Sequence, residues 1–131
     1  AAITERRGQP AFRRKILLAY EGRCAFTGCD VEEVLEAAHI YPYQGDATDV
    51  ISNGLLLDLM FTTLFDLGLI AVRPDTHAIV LATPLLTSPY ADLNGQYLRL
   101  PREPTHRPEK AALEWHYRKF FHDVTRVRGS A

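Results

Sequence analysis

The sequence predicts an α+β domain with a helix at each end and short strand-like runs between them. Residues 10–22 and 107–124 space their apolar side chains at helical intervals. Residues 36–42, 55–57 and 69–82 form short apolar runs bounded by Gly, Pro and Asp. The chain has 131 residues, of which 47% are hydrophobic and 24% charged, so it can form one domain with a hydrophobic core.

The first helix is predicted over "PAFRRKILLAYEG", because Pro10 suits a first helical turn and Gly22 suits a helix end. Its apolar face is expected to hold Phe12, Ile16, Ala19 and Tyr20. The next segment, "RCAFTGCD", predicts a tight hairpin or knuckle around Thr27 and Gly28.

A strand, a loop and a second helix are predicted in the middle of the chain. Asp30 is the expected N-cap of a short helix at "VEEVL". "EAAHIYP" is expected to be extended, because Pro42 disfavours helix at the residue before it. "YQGDATDVIS" is a loop, "LLL" is a short apolar run, and "DLMFTTLFDLG" is a helix capped by Asp58 and stopped by Gly68.

The C-terminal half is predicted as a hairpin, an irregular segment and a final helix. "LIAVRPDTHAIVLA" reads as two strands around "RPDT", and "YLRLP" as a short strand after an irregular or partly helical stretch. The last helix, "RPEKAALEWHYRKFFHDV", is entered through Pro108. Its buried face is expected to comprise Ala112, Trp115, Tyr117, Lys119, Phe120 and Phe121.

The sequence carries neither a membrane span nor a secretion signal, and it has few cysteines. No apolar run reaches about 18 residues, so no membrane partner is expected. The start lacks the apolar core of a signal peptide, and residues 1–131 look like a single domain taken from a longer multidomain protein. Cys24 and Cys29 alone cannot complete a four-ligand zinc site, so no structural zinc is expected. We expect a reduced, cytoplasmic chain, with a Cys24–Cys29 bridge as the open alternative.

Basic residues gather at the two ends, although the formal net charge is only −1. The two groups are Arg6, Arg7, Arg13, Arg14 and Lys15, and Arg118, Lys119, Arg126 and Arg128. If the ends lie together, these groups make one basic face of the kind that contacts nucleic acid. The alternative is a pair of separate solvated helix faces.

One histidine and one asparagine stand at an informative spacing. Asn53 follows His39 by 14 residues, and Thr62 follows Asn53 by 9. This spacing occurs together with four sequence blocks: "RRGQPAFRRKILLAYEGRCAFTGC", "LEAAHIYPY", "NGLLL" and "LFDLGLIAV". Spacing and blocks together resemble the HNH endonuclease family, in the branch found in prokaryotic restriction and defence proteins. The likeness extends to "RPEKAALEWHYRKFF" and covers roughly residues 6–121. It implies a fold built around the ββα-metal motif, two strands and a helix, with flanking N- and C-terminal helices.

The resemblance assigns roles to both residues. The first histidine of the motif, here His39, is the general base that takes a proton from the attacking water, and imidazole chemistry suits this task. The motif asparagine, here Asn53, holds the loop and helps to orient the histidine. One divalent metal ion contacts the scissile phosphate, with Mg²⁺ as the first expectation and Mn²⁺ or Ni²⁺ as alternatives.

The metal ligands are where the sequence departs from the family. The residue before the base, often Asp or His in the family, is Ala38, and the usual His or Asn of the helix is Thr62. Asp66 lies one helical turn after Thr62, so its carboxylate can point to the same place. Because carboxylates suit Mg²⁺, Asp66 is the expected ligand and Thr62 a weak one, with Glu36 and Asp58 as further candidates.

The resemblance also implies partners. These are double-stranded DNA, a recognition or sensor domain outside these residues, and a second copy of the chain in a homodimer. Arg6, Arg7, Arg13 and Arg14 are the expected phosphate contacts. The alternative function, favoured by Ala38 and Thr62, is a DNA-binding or interaction module that has lost catalysis. A purely structural domain with a neutral His39 is a third interpretation, and His116 is expected to pack rather than to touch DNA.

Overall fold

The computed structural model describes residues 10–121, which begin with a helix and continue as a hairpin and a second helix. These elements are α1 (Pro10–Ala19), β1 (Leu35–His39), β2 (Gly54–Asp58) and α2 (Leu59–Asp66). β1 and β2 run antiparallel, with Leu35 opposite Asp58 and His39 opposite Gly54. This order confirms the predicted strand–strand–helix arrangement within an α+β domain.

Both predicted ends of α2 are confirmed. The Asp58 carboxylate caps the helix by accepting a hydrogen bond from the Phe61 N–H at 3.2 Å. Gly68 follows the helix with a φ of 74°, a conformation that glycine adopts at little cost. Between these ends, α2 buries Phe61, Leu64 and Phe65.

α1 packs across the β1–β2 hairpin at close range. Its residues Phe12 and Ile16 are buried, and the hydroxyl of Tyr20 donates to the Gly54 carbonyl oxygen at 2.9 Å. A Cβ atom placed on Gly54 would lie 2.3 Å from Cδ1 of Ile16. The close approach of the helix therefore requires glycine at position 54. The backbone conformation does not require it, because Gly54 is extended, with a φ of −130°.

The remaining elements form a second hairpin and the C-terminal helix. β3 (Ile70–Val72) pairs antiparallel with β4 (Ile79–Leu81) around the predicted turn, and α3 (Lys110–Phe120) packs against β3. Short 3₁₀ turns connect the elements at Glu32–Val34, Asp46–Thr48, Ile51–Asn53, Thr83–Thr87, Ala91–Leu93 and Pro104–His106. Among residues 10–121, no helix has the length and apolar character needed to cross a lipid bilayer.

Two local predictions are wrong. The segment after Asp30 makes only the 3₁₀ turn Glu32–Val34, whose N-cap is Val31, and no side chain caps it. Asp30 lies instead 3.8 Å from the Arg23 guanidinium. "YLRLP" is not a strand, because its successive N–H groups bond to different segments. Leu98 donates to the His77 carbonyl and Arg99 to that of Ala25, so no single strand lies alongside.

The buried face of α3 also differs from the prediction. The helix buries Ala112, Leu113 and His116, which lie on one side of it at i, i+1 and i+4. Trp115 is only half-buried, and Lys119 is exposed. The face is set by docking onto β3, which the spacing of aromatic residues alone did not reveal.

The cysteines lie in the predicted tight turn and are both free thiols. The Cys24 N–H donates to the Cys29 carbonyl at 2.9 Å, and the Gly28 N–H donates to the Cys24 carbonyl at 2.8 Å. The open alternative of a Cys24–Cys29 bridge is therefore not realised. Cys24 is buried and Cys29 half-buried, as small apolar residues at the edge of a core.

Candidate active site

His39 is the last residue of β1, and its ring is held between two aromatic side chains. The Phe12 ring of α1 stacks on it with centroids 4.2 Å apart and an interplanar angle of 5°. The exposed Tyr43 ring approaches edge-on, with centroids 5.6 Å apart and an angle of 64°. The His39 side chain keeps 18% of its surface exposed, so solvent and a substrate can reach it.

Asp49 binds the ring of His39. Its Oδ1 lies 2.6 Å from Nε2 of His39, and the Asp49 side chain is only 15% exposed. No sequence motif points to Asp49, since it is one of two aspartates in the loop between His39 and Asn53.

Asn53 holds the loop that carries Asp49. Its side-chain oxygen accepts from the Tyr41 N–H at 2.8 Å, and its Nδ2 donates to the carbonyls of Tyr41 and Thr48, each at 3.0 Å. The residue is 4% exposed. These bonds fix the backbone on either side of the loop, and none of them goes to the His39 ring.

The three predicted residues His39, Thr62 and Asp66 line one pocket. The pocket has a volume of about 360 Å³ and lies between β1 and α2, with Glu36 and His116 also in its wall. Thr62 already uses its hydroxyl to donate to the Asp58 carbonyl at 3.3 Å. Asn53 does not line this pocket; its contribution is to the loop at one side.

The two carboxylates in the pocket differ in exposure. Glu36 is buried, whereas Asp66 lies exposed at the mouth and has no hydrogen-bond partner within residues 10–121. Partial burial nevertheless raises the pKa of the Asp66 carboxyl. A neighbouring cavity of about 230 Å³ is lined by Glu36, Thr62, Thr63 and Asp66, so the same oxygen-bearing residues border both spaces.

These residues fit a weakly held divalent metal ion better than a tightly held one. Among the residues described, no group of three or more His, Cys, Asp or Glu is placed to hold a metal. The pocket instead offers the carboxylates of Glu36 and Asp66 beside the Thr62 hydroxyl. Two carboxylates with water and substrate phosphate form the kind of set that Mg²⁺ accepts. Asp58, a further predicted ligand, does not line the pocket and serves as the cap of α2.

The arginines predicted to contact DNA fall into three situations. Arg13 is half-buried, and its guanidinium donates to the carbonyls of Glu32 at 3.1 Å and Leu35 at 3.4 Å. It therefore ties α1 to the start of β1. Arg14 is exposed on the same helix. Arg6 and Arg7 lie outside the described residues.

His116 packs inside the protein, as expected. Its ring stacks on Phe65 at a centroid distance of 3.5 Å, and its Nε2 lies 2.8 Å from the Phe65 carbonyl oxygen. It is 3% exposed. Burial lowers its pKa to about 4, a shift that the hydrogen bond to Phe65 partly opposes. The residue thus joins α3 to the end of α2 as a neutral imidazole.

Comparison with known proteins finds a family-model match and a similar fold among solved structures. Residues 24–73, from the cysteine turn to the end of β3, match the family model HNH_2, described as HNH endonuclease. Among solved structures, the chain resembles "Modification dependent TagI restriction endonuclease" with 22% identity and a TM-score of 0.57. The match covers 82% of this chain and 36% of that one, so this chain spans about a third of that protein. None of the curated proteins compared with the chain matches it.

Proposed function

We propose that this chain, whose residues 24–73 match the HNH endonuclease family, is a metal-dependent DNA endonuclease domain that hydrolyses phosphodiester bonds. The match over residues 24–73 bears out the resemblance to HNH endonucleases. The observation that carries the proposal is the single pocket shared by His39 of β1 and by Thr62 and Asp66 of α2. A proton acceptor and oxygen ligands around one pocket suit a phosphate bound among them.

In the proposed reaction, His39 accepts a proton from a water molecule at a free nitrogen of its ring. The water oxygen bonds to phosphorus, and the bond from phosphorus to the leaving oxygen breaks. A proton from solvent neutralises the leaving oxygen, so the products are a phosphomonoester and an alcohol. The stacked Phe12 ring and the Asp49 carboxylate keep the base in place during this transfer.

Asp66 and Glu36 would hold the divalent cation, with Thr62 beside them as a weak ligand. When bound, such a cation neutralises the negative charge that develops on the phosphate and the leaving oxygen. Mg²⁺ is our first choice because all of these donors are oxygen atoms, and Mn²⁺ or Ni²⁺ are alternatives. With so few protein ligands, we expect weak binding until DNA phosphate supplies further oxygens.

The proposed setting is that of an effector module acting on double-stranded DNA in the cytoplasm. The structural relative named as a modification-dependent restriction endonuclease is more than twice as long, since the match covers 82% of this chain but only 36% of that one. This supports a role within a larger restriction or defence protein, with DNA recognition in another domain. Arg14 would contact phosphate on this chain, and a homodimer would bring two sites to the two strands.

A second function is favoured by two observations. In the resemblance, Thr62 takes the place of the usual imidazole or amide ligand. The described residues also offer no cluster of three or more His, Cys, Asp or Glu that could hold a metal. A scaffold that binds DNA without cutting it would have this appearance. Binding without cleavage is therefore the alternative that the first experiment must separate.

The test is cleavage of supercoiled plasmid with Mg²⁺, Mn²⁺ or Ni²⁺, with EDTA as the metal-free control. We expect the parent chain to nick the plasmid and His39→Ala to lower the rate by about 10²–10⁴-fold, the usual contribution of a general base. His106→Ala, away from the pocket, is the matched control and should cut normally.

The Thr62→His variant separates the two functions. If it cuts while the parent chain does not, the scaffold is a nuclease whose metal site has decayed. If folded parent and variant both leave plasmid intact but retard DNA in a gel, the binding module is the correct function. If the parent cuts equally well in EDTA, the metal-dependent proposal is wrong.

A further inference from the structure

We infer that Asp49 is a positioning residue of this site, which fixes His39 as the Nε2–H tautomer and leaves Nδ1 as the nitrogen that accepts the proton. The inference deepens the proposed nuclease function and rests on it. No sequence motif pointed to Asp49; its assignment comes from the geometry of the loop between β1 and β2.

The first argument is the chemistry of the contact. An ionised carboxylate can only accept hydrogen bonds, so the ring must donate at the nitrogen 2.6 Å from Asp49 Oδ1, which is Nε2. In a neutral imidazole, a proton on Nε2 leaves a lone pair on Nδ1. Both side chains are largely shielded, with 18% and 15% of their surfaces exposed, so water competes poorly for this bond.

The second argument is the restriction of the ring. Phe12 covers one face of the imidazole in a nearly parallel stack, and Tyr43 stands against it edge-on. A flip that exchanged the two nitrogens would break the bond to Asp49. Within residues 10–121, no group is hydrogen-bonded to Nδ1, so this nitrogen is the one open to a water molecule.

The third argument is the rigidity of the loop that presents Asp49. The Thr48 hydroxyl donates to the Gly45 carbonyl at 2.7 Å, and the Asp49 N–H donates to the Asp46 carbonyl at 3.1 Å. Asn53 holds the Thr48 carbonyl at 3.0 Å, one residue before Asp49. The motif asparagine therefore reaches the motif histidine through Asp49, by way of the loop backbone.

The consequence for catalysis is a base held in one orientation throughout the proton transfer. When Nδ1 accepts the proton from water, the Nε2–H remains bonded to the Asp49 carboxylate. This bond keeps Nδ1 directed at the water. Asp49 itself takes no proton and touches no substrate in this scheme.

The experiment compares Asp49→Ala and Asp49→Asn with the parent chain by plasmid nicking and by ¹⁵N NMR of the histidine rings. We expect kcat to fall by about 10- to 100-fold, with KM for DNA changed less than twofold, as for other residues that orient a catalytic or metal-bound imidazole. The His39 ¹⁵N shifts should report Nε2–H in the parent chain and a mixture of tautomers in both variants. Asp46→Asn is the matched control, because it removes the same charge from the same loop away from the ring.

The inference is overturned if His39 keeps its tautomer in Asp49→Ala, or if Asp46→Asn lowers kcat as much. A rise in KM with kcat unchanged would also overturn it, since that result makes Asp49 a DNA contact. The NMR measurement does not require activity, so the two proposals can fail separately. A parent chain that cuts no DNA would refute the proposed function. The His39 tautomer in the Asp49 variants would still decide whether Asp49 positions the ring.

Discussion

One buried side-chain amide, that of Asn53, organises the loop beside the candidate base. It satisfies the N–H and carbonyl of Tyr41 and the carbonyl of Thr48, all from a position that is 4% exposed. A buried polar group that loses its partner costs about 1–3 kcal/mol. The stability of this loop therefore depends strongly on a single residue.

Replacing Asn53 tests this dependence. Asn53→Ala should lower the free energy of unfolding by at least about 2 kcal/mol, because three backbone groups lose their partners. Asn53→Asp should also destabilise, since its carboxylate can still accept from Tyr41 but repels two carbonyl oxygens. Urea denaturation followed by circular dichroism measures both. Ser52→Ala is the control, expected within about 0.5 kcal/mol of the parent chain, and an equally small change in Asn53→Ala would contradict the prediction.

At the residue scale, the resemblance to HNH endonucleases pointed to His39 and Thr62, and helical spacing added Asp66. The structure places these three candidate residues around one pocket. Asp49 could not be predicted, because the path of a loop decides which of its two aspartates meets the ring. Asp46 has the same charge three residues earlier and lies exposed.

At the element scale, the contact between α1 and β2 leaves no room for a side chain at Gly54. An added Cβ would lie 2.3 Å from Cδ1 of Ile16 and 3.0 Å from Cζ of Phe12. Gly54→Ala should lower the free energy of unfolding by about 1–3 kcal/mol through overpacking. It should also slow DNA nicking, because Phe12 supports the His39 ring. Thermal and urea unfolding, with the nicking assay, measure these effects.

A second substitution makes this prediction specific. Ile16→Val removes Cδ1, the atom nearest to the added methyl group, and alone should cost about 0.5–1.5 kcal/mol. The double variant should be less destabilised than the sum of the two single variants. Strict additivity would mean that the cost of Gly54→Ala comes from the backbone and not from this contact.

The ends of α1 and α2 were predictable from local residues, whereas elements defined by distant partners were not. Proline, aspartate and glycine marked the ends of α1 and α2, because those residues act on their own backbone. "YLRLP" has the alternation of a strand, yet its N–H groups reach two separate segments, which no local pattern records. The buried face of α3 likewise depends on the position of β3.

At the scale of the whole molecule, His116 links α3 to the ββα unit and makes stability depend on pH. Burial lowers its pKa to about 4 from an ordinary 6.5. Between these values the unfolded chain binds the proton and the folded chain does not. The stabilisation is thus complete above pH 6.5 and is lost as the pH falls towards 4, by up to about 3 kcal/mol.

The comparison of the parent chain with His116→Gln isolates this effect. The glutamine Nε2 can still donate to the Phe65 carbonyl, but it does not titrate between pH 7 and 4. The raised pKa values of Asp58 and Asp66 increase stability as the pH falls, opposite to the effect of His116. Both carboxyl groups are present in the parent chain and in the variant, so their effect cancels when the two stabilities are subtracted. Urea denaturation across this range should show the advantage of the parent chain shrinking as the pH falls. Parallel stability profiles would contradict the assignment to His116.

The basic ends show that a cluster of charges in the sequence does not reveal which of its side chains face solvent. Arg13 and Arg14 are neighbours in sequence, but the helix turns one towards backbone carbonyls and the other towards solvent. The sequence gives both the same charge. Only the docking of α1 onto β1 separates a structural cation from one available to a nucleic acid backbone.

The stack of Phe12 on His39 also bears on where a working unit begins. The family match starts at Cys24, whereas Phe12 lies in α1, ahead of that boundary. A graft limited to the matched stretch would carry the imidazole but leave one of its faces bare to water. A shortened chain that keeps the surroundings of His39 therefore includes α1 and begins before Pro10.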